Sequence, residues 1–260
     1  MQTKPNALLL VTDGVNCNAE TDYAAKVAGL NADQVHINCL RSGKVKLADY
    51  QLLVVCGGFS YGDHGSAGLV LANELVTFFK DDLATFIKEG KLIVGICNGF
   101  QVLAQAGLLP KIRLGKPQIT LNWNTNGRFH CQWVEMVTQE SPCVFTKSLS
   151  PGTAIMMPGA HGEGRFTASE SILQEIEKQK LVVLRYSKAG KPTMDSPANP
   201  NGSVNAIAGI CDKTGRIFGL MPHWERAIEE TQHPNWRRGP VKMFGLVAFE
   251  NAFDYIKRNL

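Results

Sequence analysis

Two short motifs far apart in the chain hold residues able to do chemistry together. One is Gly95-Ile96-Cys97-Asn98-Gly99, the other His223-Trp224-Glu225. A thiolate is a strong nucleophile, an imidazole can take its proton, and a carboxylate can hold that imidazole in one tautomer. The form G-x-C-x-G is the cysteine version of a nucleophile elbow, a sharp turn from strand into helix. Glycines beside the turning residue remove side chains that would clash there. A thiol at a helix N-terminus meets unpaired N–H groups and the positive end of the dipole, which favour thiolate. A third segment, Gly57-Gly58-Phe59-Ser60-Tyr61-Gly62-Asp63, presents two bare glycines. The Gly58 and Asn98 N–H groups, if they converge, form an oxyanion hole for a tetrahedral intermediate. Each signal alone has a plainer interpretation: a buried core thiol, an ordinary glycine turn, a solvated His–Glu pair.

The elements that must position these residues are legible as apolar runs. Ala7–Thr12, Val35–Leu40, Gln51–Cys56 and Leu92–Ile96 read as strands buried on both faces. Between them, Asn18 is placed to cap a helix with Tyr23, Val27 and Leu30 on one side. Leu69–Glu89 reads as one long amphipathic helix with Leu71, Leu75, Phe78, Phe79, Leu83 and Phe86 as its core stripe. This alternation predicts an α/β fold: a doubly wound, mostly parallel sheet flanked by helices, with sites at the carboxyl ends of strands. Further strands are expected at His130–Val137 and Leu181–Ser187, and a helix capped by Ser169 carries Ile172, Leu173 and Ile176. Asn205–Cys211 and Arg216–Leu220 flank Asp212-Lys213-Thr214-Gly215, the signature of a C-terminal β-hairpin. Its second strand runs towards His223 and Glu225; in extended backbone, residues two apart point the same way. His161 and Glu163 stand among glycines, and Met194–Val204, rich in Pro, Asn, Ser and Gly, reads as a loop or lid.

Composition narrows the class. The chain has 260 residues, a net charge of +4 and seven cysteines without a C-x-x-C pair. That length suits a single domain over residues 1–260 with its own core. An odd number of unpaired cysteines and an N-terminus without a cleavage pattern predict a reducing, cytoplasmic setting. No apolar segment approaches membrane-spanning length. The densest basic cluster, Arg237-Arg238 beside Trp236 and Lys242, is too small for a nucleic-acid footprint. Asp63 and His64 have no second cluster at ligand spacing, so no metal is expected.

Over nearly its whole length the chain resembles the class I (triad) glutamine amidotransferases, and within them the glutaminase subunits of phosphoribosylformylglycinamidine synthase, from purine biosynthesis. The carriers are GGFSYGD at Gly57–Asp63, GICNGFQ at Gly95–Gln101, N-x-x-G-R-F from Asn124 to Phe129, AHGEGRF at Ala160–Phe166 and MPHWERA at Met221–Ala227. The resemblance implies Cys97 as nucleophile towards the glutamine amide, His223 as general base and acid, and Glu225 as its orienter. It implies Gly58 and Asn98 as oxyanion donors, and Gln101, Asn124, Arg128 and Phe129 as substrate contacts. It also implies a larger synthetase partner that receives ammonia through a tunnel and holds ATP and magnesium, and it leaves room for a small bridging subunit. This chain has no Walker-type phosphate loop and is expected to need no cofactor of its own. Two departures stand out. Trp224 occupies a position usually held by proline, where it could pack in its loop or against a partner, and Asn126 replaces a common serine. The alternatives are a glutaminase serving another acceptor, and a cysteine-elbow redox sensor or chaperone without amidase activity.

Overall fold

A computed structural model describes residues 4–260. The chain opens with β1 (Asn6–Val11), α1 (Asn18–Val27), β2 (Asn31–His36), α2 (Ile37–Arg41) and β3 (Leu52–Val55). α3 (Leu69–Phe78), α4 (Lys80–Lys88), β4 (Leu92–Ile96) and α5 (Asn98–Gln105) follow. The middle of the chain gives β5 (Ile119–Asn122), β6 (His130–Thr138), β7 (Ala154–His161), β8 (Arg165–Ala168) and α6 (Glu170–Lys178). The remainder forms β9 (Val182–Lys188), β10 (Lys191–Pro192), β11 (Ile207–Cys211), β12 (Ile217–Leu220) and α7 (Val247–Asn259).

One sheet runs in the order β2-β1-β3-β4-β12-β11-β9-β6-β7. From β2 to β12 neighbouring strands are parallel, and from β12 to β7 they are antiparallel. β5 and β8 make a separate antiparallel pair. β3, β4 and β12 are buried along their whole length. That explains their unbroken apolar runs: in the parallel half, helices cover both faces and no polar alternation is needed. The hairpin β11–β12 forms as expected, and β12 adds to β4 in parallel. No helix of the described residues is long and apolar enough to cross a membrane.

Four expectations need correction. The apolar run from Val35 divides: β2 ends at His36, whose Nδ1 accepts from Asn38 N at 3.2 Å, and a helix begins. Ile37 and Leu40, spaced as on a helix face, are both buried there. The segment 69–89 is two helices broken at Phe79, where φ is −126°. The break turns Phe79 into the core and leaves Phe78 50% exposed, with the Arg41 guanidinium 4.2 Å over its ring. α1 has Cys17 rather than Asn18 at its N-cap, and it packs through Thr21, Ala24 and Ala25 while Tyr23 and Val27 face solvent. Its small residues let the helix lie close to the sheet, which a stripe of larger residues would prevent. The segment 194–204 is a loop, as one of its two readings expected, and only the lid reading needs correction, because its second half is built into the fold. Asn199, Asn201 and Ser203 are buried; Asn201 Nδ2 donates to Gly164 O at 2.9 Å, and Phe166 N donates to Ser203 Oγ at 3.0 Å. Such a satisfied polar network anchors the loop to the AHGEGRF segment.

Candidate active site

Strand order brings the motifs together. β4 lies between β3 and β12, with Gly95 aligned to Val55 on one side and Gly219 on the other. The segments leaving these strands, with Gly57-Gly58, Cys97 and His223, therefore emerge side by side at one sheet edge. Cys97 sits between β4 and α5 with φ +53° and ψ −107°, a conformation costing about 1–3 kcal/mol for a residue with a side chain. Neighbours hold it there: Cys97 N donates to Leu220 O at 2.8 Å, and Cys97 O accepts from Phe100 N at 2.9 Å. Its thiol is 3.5 Å from Ala160 O.

His223 Nδ1 is 2.5 Å from Glu225 Oε1, both residues being 1% exposed. The contact does not use extended geometry throughout. β12 ends at Leu220, His223 is extended, and Trp224–Arg226 is a single 3-10 turn that folds Glu225 back under the ring. Trp224 is fully buried in the core of this chain, so it offers no surface to a partner. His223 N donates to Pro158 O at 2.8 Å, tying the segment to β7. With a carboxylate on Nδ1, that nitrogen carries the proton and Nε2 is the basic one. Nε2 is buried and has no hydrogen-bond partner among the described residues. Burial opposes the imidazolium, but the Glu225 carboxylate and the Cys97 and Cys17 thiols outweigh it, holding the His223 pKa well above its ordinary value.

A pocket of about 220 Å³ opens beside these groups, lined by Cys97, His223, Gly58, Phe129, Cys17 and Arg226 among others. Gly58 has φ +137°, and a Cβ there would lie 2.6 Å from Asn16 N, so only glycine presents this backbone to the pocket. Asn98 opens α5, where first-turn N–H groups have no partner within the helix. Arg226 is a half-buried cation on the wall, with Nη2 3.4 Å from Glu20 Oε1. Arg226 and Cys17 are pocket residues that sequence reasoning passed over. Arg226 was legible within the MPHWERA segment. Cys17 becomes visible only through topology: Asn16 N and Cys17 N both donate to Gly57 O, at 3.4 and 3.3 Å, which lays the loop after β1 against the glycine pair.

Of the four expected substrate contacts, only Phe129 lines this pocket. Gln101 lies behind the wall, accepting from Asn98 Nδ2 at 2.9 Å and donating to Glu163 O. Asn124 is a buried bracket whose Nδ2 donates to Arg128 O and His161 O, at 2.9 and 2.8 Å, and whose Oδ1 accepts from Gly164 N at 3.1 Å. Arg128 is exposed. Asn126 accepts from Arg128 N at 3.0 Å, closing the turn locally. Asn98 uses its side chain as well: Oδ1 accepts from Ser60 N and Nδ2 donates to Asp63 Oδ1, each at 3.1 Å. It thus ties the GGFSYGD segment to the elbow. Glu163 accepts from Ala67 N at 3.1 Å, and His161 Nδ1 stands 3.2 Å from Asn124 Oδ1.

The electrostatics give a testable pH dependence. His223 binds its proton more tightly in the folded state, so its contribution to stability is complete below about pH 6.5 and is lost as pH rises through its raised value. Two other groups act at lower pH. Burial and Glu163 push Asp63 up to about 6, costing stability as that carboxyl ionises. Burial, with His130 and His223 nearby, lowers His161 to about 3, costing stability as pH falls below its ordinary value. Denaturant unfolding of wild type is therefore expected to show stability declining above about pH 6.5. The decline should shrink in Glu225→Gln, where burial of His223 meets less opposition; an unchanged slope would contradict this electrostatic assignment.

The parallel half-sheet thus carries a strained cysteine elbow and a buried His–Glu pair at one end of its strands. Residues 4–256 match the model of the CobB/CobQ-like glutamine amidotransferase domain, and the chain belongs to that family. Among proteins of similar sequence, the phosphoribosylformylglycinamidine synthase subunit PurQ of Methanococcus maripaludis strain S2 is 45% identical over 270 residues, covering 98% of each chain. The subunit of the same name from Dehalococcoides mccartyi is 42% identical over 259 residues, covering 98% of this chain and 99% of its own. Among solved structures, a chain of PurLQS from Thermotoga maritima superposes with a TM-score of 0.75 at 33% identity, covering 98% of this chain and 100% of that one.

Proposed function

We propose that residues 1–260 act as one glutaminase domain in the cytoplasm, hydrolysing glutamine to glutamate and ammonia. A synthetase partner takes up the ammonia to make formylglycinamidine ribonucleotide in purine biosynthesis. With its proton already held on His223 Nε2, the Cys97 thiolate attacks the side-chain amide carbon. Gly58 and Asn98 N–H groups receive the oxyanion. The tetrahedral species collapses to a γ-glutamyl thioester, and the proton leaves with ammonia. His223 then draws a proton from water, hydroxide attacks the thioester, and glutamate departs as the thiolate–imidazolium pair re-forms. Glu225 holds Nδ1–H throughout, and no cofactor is needed in this chain; ATP and magnesium belong to the partner.

One observation carries this reading. The imidazole nitrogen left free by Glu225 is buried, without a hydrogen-bond partner among the described residues, and beside the pocket that holds the Cys97 thiol. The family and the full-length similarity to PurQ subunits support the substrate and the partner. The test is ammonia release from glutamine, measured alone and with a synthetase, for wild type and Cys97→Ala. Release that needs Cys97 and rises with the synthetase supports the reading. A Cys97-dependent response to oxidant without glutamine turnover would favour a redox sensor instead.

Arg226 gives a separate prediction. Its guanidinium on the pocket wall suits the α-carboxylate of glutamine. Arg226→Met is expected to raise KM for glutamine roughly 10- to 100-fold with a much smaller change in kcat. A change confined to kcat would remove Arg226 from substrate binding.

A further inference from the structure

β7 ends the sheet, and the edge it turns away from β6 faces the triad. Pro158 O, on that edge, accepts from His223 N at 2.8 Å. Residues two apart along a strand turn their main-chain groups to the same edge. Ala160 O therefore lies there too, 3.5 Å from Cys97 Sγ, and Ala160 lines the pocket. The segment that follows is gripped by a side chain the hydrolysis does not use. Asn124 N donates to Gly162 O at 2.9 Å, Nδ2 donates to His161 O at 2.8 Å, and Oδ1 accepts from Gly164 N at 3.1 Å. His161 Nδ1 stands 3.2 Å from the same Oδ1, which can only accept, so this nitrogen carries the proton. The His161 ring is 3% exposed, and burial, with His130 and His223 nearby, lowers its pKa to about 3. The ring is thus neutral at any working pH, and the clamp keeps one arrangement.

We propose that Ala160 O accepts the N–H of the scissile amide, and that Asn124 and His161 are the positioning residues that hold it in place. The inference rests on the glutaminase reading and names the group that makes the site choose an amide. Strand order assigns the two sides of that amide. Gly58 follows β3, on one side of β4, whereas His223 follows β12, on the other. An amide carbon over Cys97 Sγ, with its oxygen turned to the Gly58 and Asn98 N–H groups, turns its nitrogen towards His223. Ala160 O belongs to that side, two residues along β7 from the carbonyl that holds His223. When the C–N bond breaks, its electron pair stays on nitrogen and the proton from His223 Nε2 completes ammonia. Gaining that proton makes the nitrogen a stronger donor, so its bond to Ala160 O is tightest in the transition state, where it speeds the reaction. A γ-carboxylate has no N–H and sets an oxygen against Ala160 O, so the same group turns away the product glutamate.

Glutamine and the γ-methyl ester of glutamate test this, because both acylate Cys97 and give the same thioester while the ester lacks the N–H. kcat/KM for glutamate formation, measured on the full chain with the synthetase, reports the steps up to acylation. His161→Phe keeps a buried ring but loses the N–H that Asn124 accepts. It is expected to lower kcat/KM for glutamine at least about tenfold more than for the ester. Asn124→Asp keeps the acceptor oxygen and loses the donors to His161 O and Arg128 O. It should show the same bias, and it carries the test if phenylalanine disturbs the fold, which thermal unfolding checks. His161→Asn, whose amide N–H replaces Nδ1–H, should restore most of the preference for glutamine; a purely structural defect would not be mended in this substrate-selective way. A glutamine-to-ester ratio equal to wild type in the folded variants, whether both rates fall or neither does, overturns the proposal and leaves the glutaminase reading intact. Wild type that cleaves neither substrate rejects the glutaminase reading itself, and the Ala160 assignment with it.

Discussion

Replacing Cys97 with alanine is expected to lower glutamine hydrolysis at least about a thousandfold while leaving the fold intact. The size follows from the role: without the sulfur no thioester can form, and the reaction falls back on direct attack by water in a pocket not built to position it. The fold should survive because Cys97 is held by its backbone, through Leu220 O and the first turn of α5, and alanine keeps those bonds. Alanine also removes no more than one buried sulfur, a small volume change. The sulfur and the imidazole act as a unit, so adding His223→Ala to Cys97→Ala should cost little more than either alone. Ammonia release under matched conditions checks this, with thermal unfolding as the control for folding. Multiplicative losses would mean that Cys97 and His223 serve separate steps.

The second large effect concerns stability, and it falls on Gly99. A Cβ at this position would lie 1.9 Å from Val55 O and 2.8 Å from Val55 C, deep inside the backbone of β3. Two contributions compete in Gly99→Ala. Alanine favours a helix by about 1 kcal/mol over glycine. The clash is with main chain in a buried strand, which cannot swing aside as a side chain can, and overpacking of this kind costs about 3 kcal/mol or more. The clash should win. Gly99→Ala is thus expected to lose at least about 2 kcal/mol in denaturant unfolding and to impair glutamine hydrolysis, because α5 must lift and carry Asn98 and Cys97 with it. A variant of wild-type stability would mean that α5 does not approach β3 this closely.

These effects trace to features of unequal legibility in the sequence. β1, β3, β4 and the β11–β12 hairpin stand out because burial on both faces leaves continuous apolar runs between turn signals. The elbow and the His–Glu pair are legible because the chemistry demands particular residue types at short spacing. What the sequence conceals depends on partners distant along the chain. Phe78 and Phe79 are equally apolar, and only the break at Phe79 decides which enters the core. Gln101 and Asn124 carry amides that could meet a ligand as well as brace a wall, and their hydrogen bonds to Glu163, His161 and Gly164 direct them to the wall. Nothing near Cys17 in the sequence marks it, since most of its neighbours in the pocket follow β3, β4 and β12.

The covalent intermediate itself gives the most direct test of the mechanism. Wild-type chain mixed with glutamine and quenched in acid on the millisecond-to-second scale can be followed by intact mass and then by peptide mapping. The expected result is a transient gain of one γ-glutamyl group on the peptide containing Cys97, absent from Cys97→Ala and strongly diminished in His223→Ala, which lacks the base for acylation. Glutamine turnover with no acyl group on Cys97 at any time, or with the acyl group on another residue, would contradict the mechanism.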